Sequence, residues 1–196
     1  MQKKKITEMG RLTLEEFRRS DKLPLVVVLD NVRSMYNVGS VFRTADAYRV
    51  SAIHLCGITA APYTPAGEPS PQHAELHKTA LGAEDSVDWC YYASAQDSVR
   101  ALREAGYAVY AVEQVHDSIS LEAFTPPHDR PLAVVLGNEV KGVQQEVVDL
   151  CEGCIELPQF GTKHSLNVST TAGIVIWEAW RKCTAPNNQS LEQSKN

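Results

Sequence analysis

Short runs of β-branched and other apolar residues, spaced by helix-patterned stretches, constrain this chain more than any other feature. Leu25–Asp30 reads as a buried strand, and Ala52–Cys56, Val87–Tyr92, Tyr107–Glu113, Leu132–Leu136 and Ile155–Leu157 repeat the type. Between them Val38–Arg49, His73–Leu81, Gln96–Ala105 and Gln144–Leu150 read as helices, followed by a last helix over Asn167–Lys182. Apolar strands alternating with helices imply an α/β fold: a mostly parallel sheet with helices on both faces. Thr59–Pro71 holds four prolines and reads as a loop, as does the stretch around Pro126-Pro127. The expected organisation is a basic, helical N-terminal extension over 1–22, a folded domain over 23–184, and a polar, disordered tail over 185–196.

The 196 residues suit one domain. A chain of that size buries roughly 70% of its extended surface, so it needs no disulfide or metal staple. Hydrophobic residues at 43% and charged residues at 22% exclude wholesale disorder, collagen and coiled coil. No apolar run reaches the roughly 18 residues of a membrane helix. The opening Met-Gln-Lys-Lys-Lys is followed by no apolar stretch, so it does not read as a secretory signal, and a cytoplasmic address is expected. The net charge of −5 argues against a generally basic nucleic-acid coat. Residues 1–20 nevertheless hold six basic side chains, Arg11 and Arg18 among them, against three acids. A polyanion partner should therefore meet this segment and local arginines, although a solvated amphipathic helix would carry the same charge.

The five cysteines, an odd count without a signal, fit reduced thiols. Cys151 and Cys154 form a C-x-x-C with no second pair for a zinc ribbon, and they precede an apolar strand where a thioredoxin-type pair would follow one. His73 and His77 are four apart, but Ala74-Glu75-Leu76 between them is not the zinc-hydrolase order, which leaves a solvated helix face.

Parallel α/β sheets bind ligands beyond the carboxyl ends of their strands, which directs attention to the segments after Asp30, Glu113, Leu136 and Leu157. In the first, Asn37 reads as an N-cap, and Val38, Val41, Phe42 and Ala45 form one apolar stripe. Gly39 and Arg43 lie off that stripe. A helical glycine costs about 1 kcal/mol relative to alanine, so close approach of another backbone or a ligand is expected at Gly39. Arg43 beside that gap suits a phosphate, as it also suits an ordinary surface. The second segment, Leu136 to Gly142, is a glycine-bounded turn carrying Glu139. Val143 and Gln144 stand where a P-loop needs Lys and Ser/Thr. The third, Leu157 to Ser169, is a loop entering a helix, with Ser165 or Asn167 near the cap. The last helix has Val168, Ala172, Val175 and Ala179 on one stripe and Ile174, Trp177 and Trp180 elsewhere, so it should be buried on two sides, the second by a partner subunit.

Together these segments resemble the SpoU/TrmH family of SPOUT-class RNA ribose methyltransferases. The order is Asn37, Gly39 and Arg43; then Gly137, Glu139 and Gly142; then Pro158, Gly161 and Ser165 to Ser169, over about 160 residues. Lys78 to Glu84 also looks like a family segment that flanks RNA. The resemblance implies a deep C-terminal trefoil knot and a homodimer with composite active sites. It implies S-adenosylmethionine held by Val112, Leu136, Gly137, Asn138, Leu157, Leu166 and Asn167. The implied reaction is methyl transfer to a ribose 2′-hydroxyl of tRNA, more than of rRNA, with neither metal nor membrane involved. Arg43, Asn37, Glu139, Ser165 and Asn167 would be catalytic. Arg43 would grip a phosphate and stabilise alkoxide charge, Asn37 and Ser165 would position the hydroxyl, and Glu139 would orient Arg43 or the knot loops. Arg33, Arg43, Lys78, Arg11 and Arg18 would meet the RNA. A non-catalytic RNA-binding relative and a nucleotide-binding α/β module remain the alternatives at this point.

Overall fold

The computed structural model describes residues 10–184 together with Gln2, Lys3, Lys5 and Glu8. In chain order the elements are α1 (Leu14–Arg19), β1 (Leu23–Asp30), α2 (Met35–Ala47), β2 (Val50–Cys56), α3 (His73–Ala80), α4 (Ala83–Ser86), β3 (Trp89–Tyr92), α5 (Ala95–Glu104), β4 (Ala108–Val112), β5 (Ile119–Ser120), β6 (Leu132–Leu136), α6 (Gln145–Val148), β7 (Gly153–Glu156) and α7 (Val168–Thr184). One seven-stranded sheet runs β3-β2-β1-β6-β4-β7-β5. Every strand pairing in it is parallel.

The strands with the most β-branched residues take the centre. Leu25–Leu29 of β1 pair with Leu132–Leu136 of β6, and all ten residues are buried. Alternate side chains serve opposite faces. Leu25, Val27 and Leu29 pack under α2, α3 and α7, while Val26 and Val28 pack under α5 and α6. Each such side chain contributes about 1.5–3 kcal/mol of transfer free energy, so both faces hold their helices.

Several boundaries differ from the sequence reading, each for a local reason. α2 begins at Met35, and Ser34 Oγ accepts from Asn37 N at 3.3 Å, so Ser34 is the cap and the Asn37 side chain is free for other work. β7 begins at Gly153, which puts Cys154 inside a buried strand. Two elements are too short for periodicity to announce: β5, which pairs with β7, and α4. α7 buries Val168, Ala172, Val175, Ile176 and Ala179. Trp177 and Trp180 both pack on Tyr48, each with ring centroids 5.8 Å from it, yet Ile174 and Trp177 stay 40% and 45% exposed.

Within the N-terminal stretch, residues 14–19 form a helix started by a Thr13–Glu16 capping box. It is also anchored. Phe17 is buried in the main core, and Lys22 Nζ donates to the Phe17 carbonyl oxygen. The polar stretch 185–196 lies outside the described residues. No helix among them is long and apolar enough to cross a membrane.

Candidate active site

The carboxyl ends of β4, β6 and β7 open into a cleft of about 550 Å³. Cavities of this order hold small organic ligands. Its floor is apolar, from Val112, Leu136, Ile155 and Leu157, and its walls come from the 137–142 turn and the 164–168 segment. The sequence-derived cofactor residues Val112, Leu136, Gly137, Asn138, Leu157, Leu166 and Asn167 all line it. Glu139, His164 and Ser165 line it too, with Ser165 and His164 exposed.

At the rim, the three segments meet through side-chain amides. Asn37 Nδ2 donates to Glu139 Oε1 at 3.0 Å, and Asn167 Nδ2 donates to Asn37 Oδ1 at 3.1 Å. Asn167 Oδ1 also accepts from Ser169 N and Thr170 N, so this residue caps α7 as it joins the cluster. Glu139 accepts further bonds from Arg33 N and Ser34 N, both at 3.0 Å. Burial pushes the Glu139 carboxyl upward, but the amides of Arg33, Ser34 and Asn37 outweigh it and hold it below the usual range. Glu139 thus fixes the entry to α2. It makes no bond to Arg43, contrary to one of the two expected roles.

Two carboxylates that the sequence reading passed over hold the turn. Asp30, fully buried, accepts from Gln144 N at 3.1 Å, Gln144 Nε2 at 2.8 Å and Asn31 Nδ2 at 2.8 Å. Glu113 accepts from Val143 N at 2.9 Å and Gln114 N at 2.8 Å. The signal was an acid ending an otherwise apolar strand, where burial demands partners. Gly137 is required by the turn itself: a Cβ there would lie 2.0 Å from the Gly142 carbonyl carbon.

Residues 24–177 match the SpoU rRNA Methylase family. The chain belongs to that family. It is 31% identical over 176 residues to a tRNA (guanosine(18)-2′-O)-methyltransferase of Thermus thermophilus, covering 90% of this chain and 84% of that one. It is 32% identical to a 23S rRNA (guanosine-2′-O-)-methyltransferase of Nitrosomonas europaea, covering 90% of this chain and 64% of the relative. Among solved structures, the AdoMet-bound rRNA methyltransferase of Sinorhizobium meliloti superposes with a TM-score of 0.68 at 27% identity, over 83% of this chain and 61% of that one. The A. aeolicus TrmH/SpoU tRNA modifying enzyme shares the fold, with a TM-score of 0.70 at 24% identity, over 86% of this chain and 81% of that one.

Two further SpoU-motif residues, Gly39 and Arg43, lie on α2. Gly39 is buried against α3, where an added Cβ would sit 2.2 Å from Leu76 O. The expected close approach is therefore to a helix backbone, not to a ligand. Arg43 is exposed and makes no ion pair with any described residue. Six residues after Asn37, it stands about 120° away around the helix, and it does not line the cleft. Arg33 is exposed just before α2, and Lys78 Nζ lies 5.9 Å from the Tyr36 ring. Arg11 is exposed, and Arg18 Nη2 donates to Asp85 O at 3.2 Å, beside α4.

Proposed function

We infer that the chain is an S-adenosylmethionine-dependent RNA methyltransferase acting on a ribose 2′-hydroxyl. The observation that carries this is the Glu139–Asn37–Asn167 chain, which gathers three distant motifs at the rim of one cleft. The names of the relatives are in keeping: both act as guanosine-2′-O-methyltransferases. No feature of the cleft favours a non-catalytic relative.

The cleft's apolar floor and amide-rich walls fit the cofactor. Val112, Leu136, Leu157 and Leu166 would enclose its flat ring, and Gly137, Asn138 and Asn167 would offer polar contacts. When bound, S-adenosylmethionine supplies an electrophilic methyl on a positively charged sulfur. The protein's task is then alignment of the hydroxyl and stabilisation of the negative charge that grows on its oxygen. Asn37, locked by its two partners, and Ser165, exposed at the cleft, position the hydroxyl. Glu139 keeps Asn37 and the start of α2 in register with the 137–142 turn. Arg43 grips the adjoining phosphate and stabilises the oxyanion, a role suited to a permanently charged planar fork.

Arg43 is exposed and does not line its own chain's cleft, so the reading includes a homodimer in which each Arg43 serves the partner's cleft. The exposed Ile174 and Trp177, beside a hollow lined by Leu121, Leu157 and Leu166, supply an apolar surface for such pairing. A C-terminal trefoil knot belongs to the same reading. The 119–124 segment lies against both β7 and α7, with Leu121 N bonded to Glu156 O and Lys182 Nζ bonded to the carbonyl oxygens of Leu121 and Glu122. We place the activity in the cytoplasm. tRNA is favoured as substrate because the tRNA-modifying relative matches over most of both chains, whereas this chain spans about two-thirds of the rRNA-modifying relatives. Arg33, Arg43, Lys78, Arg11 and Arg18 would contact its backbone.

The test is transfer of labelled methyl from S-adenosylmethionine to unmodified tRNA, followed by alkaline hydrolysis. A 2′-O-methyl group removes the nucleophile for backbone cleavage, so the label should appear in alkali-resistant dinucleotides. Label recovered on a base would overturn the ribose assignment.

A further inference from the structure

We propose that His73, His77 and Glu84 form a divalent-cation site of the zinc class that fastens α3 to α4 and to the proline-rich loop. None of the three lines the cleft. Four residues apart on α3, the two imidazoles share one helix face. Their rings stack with centroids 5.8 Å apart and planes at 21°. One ring nitrogen from each and one Glu84 oxygen all lie within 4.8 Å of one another. Two imidazoles and a carboxylate are a common zinc donor set, with water completing the tetrahedron.

The surroundings orient these groups as a metal site requires. His73 Nδ1 is 3.1 Å from Pro62 O. A carbonyl oxygen only accepts, so Nδ1 carries the proton and Nε2 presents its lone pair. The Tyr63 ring, centroid 5.0 Å from that of His73, packs against the same imidazole. The Glu84 side chain is completely buried, whereas the His77 side chain is 52% exposed. Glu84 accepts from Gly82 N at 3.0 Å and from His77 Nδ1. Among the described residues His77 is its one ion-pair partner, and it is charged only when protonated. Buried carboxylates are rarely left without a full countercharge, and a divalent ion supplies one while the imidazole is neutral, the form that ligates. Tetrahedral coordination at zinc bond lengths asks for ligand atoms roughly 3.3 Å apart. The ion would displace the proton that His77 Nδ1 now donates to Glu84, releasing it to solvent, and the half-exposed His77 ring has the freedom to move to that spacing. The spacing in sequence missed this because the carboxylate comes from α4, beyond the turn at Leu81-Gly82. An ion there would stiffen the stretch that carries Lys78 and would stabilise the fold by mass action.

The experiment uses the untagged full-length chain and Co²⁺, then Zn²⁺ in competition. The expected result is one equivalent of Co²⁺ with a visible ligand-field band and no near-ultraviolet thiolate band, displaced by Zn²⁺. Zn²⁺ should also raise the thermal midpoint. His73→Gln and His77→Gln should each weaken binding at least about tenfold and abolish that rise. Glu84→Gln probes the carboxylate, but it alters a buried residue; the two histidine variants, away from the core, keep the test decisive if it fails to fold. No Co²⁺ bound, or affinity as high as the unaltered chain's in both histidine variants, overturns the proposal. A thiolate band overturns it as well, because it would place the ion at Cys151 and Cys154.

Discussion

Asn167 Nδ2 donates to Asn37 Oδ1 at 3.1 Å, across 130 residues of sequence. That bond and the 3.0 Å bond from Asn37 Nδ2 to Glu139 fix which way the Asn37 amide points, because an ionised carboxylate only accepts. Asn37→Asp should therefore be more damaging than its small change in shape suggests: it sets a second carboxylate against Glu139 and removes the donor. Methyl transfer is expected to fall on the order of 10²-fold or more, as when a positioned polar contact is lost from a reacting centre. Asn37→Ala should fall by a similar factor but lose less stability. Single-turnover rates together with thermal midpoints separate the two.

Gly39 is set by space. An added Cβ would lie 2.2 Å from Leu76 O and 2.3 Å from Thr79 Oγ1, and the first of these is helix backbone that cannot move alone. Gly39→Ala, normally favourable inside a helix, should here destabilise by about 1–3 kcal/mol. Chemical denaturation with an unchanged m-value would show it.

His54 sets part of the acid response. Its ring is buried beside Ser98 Oγ at 2.8 Å, and burial pushes its pKa down to about 4. The unfolded chain, with a histidine pKa near 6.5, then binds the extra proton first. Stability should fall as pH drops from about 6.5 towards 4 and should recover nothing below that. His54→Gln should flatten the slope over that window, at some cost in stability at neutral pH. An equal slope in both proteins would assign the acid response elsewhere.

Much of this architecture was legible because its signals are local. The Leu-Val-Val-Val-Leu run of β1 and the Leu-Ala-Val-Val-Leu run of β6 are apolar on both faces, and only a central strand has a use for that. The place of the cleft followed from the glycines and polar residues after β6 and β7. Partners were not legible. Nothing near Asp30 announces Gln144, which is 114 residues away, and nothing in Glu139 distinguishes Asn37 from Arg43 as its contact. Asn37 itself looked like a cap because its neighbour Ser34, which does the capping, was an equally good one.

The N-terminal segment is both basic and structural, and the two roles can be separated. Phe17 is 6% exposed within the main core. Phe17→Ala should cost about 3 kcal/mol, so removing the whole segment would confuse lost RNA contact with lost folding. Arg11→Gln with Arg18→Gln instead keeps α1 in place. These changes should weaken tRNA binding and flatten its salt dependence, each lost phosphate contact lowering the slope by about one. Cofactor binding, measured by calorimetry, should not change. An unaltered salt slope would return the segment to a purely structural role.

Arg43 carries the mechanistic prediction. It is exposed and unpaired among the described residues, so Arg43→Ala should change stability by less than about 0.5 kcal/mol. Activity should nevertheless fall on the order of 10²–10³-fold with cofactor affinity intact. Arg43→Lys keeps the charge and loses the planar fork, so it should rescue little. Its orientation, about 120° from Asn37 around α2, makes a sharper demand. If each Arg43 completes the partner's cleft, a heterodimer of Arg43→Ala and Asn37→Ala subunits contains one intact site, because the first subunit brings Asn37 and the second brings Arg43. Equal mixing after reversible dissociation should then restore roughly a quarter of wild-type activity, since half the dimers are mixed and each has one working site of two. Were Arg43 to act on its own chain's cleft, no combination would reassemble a complete site, and the mixture would stay as inactive as its parents.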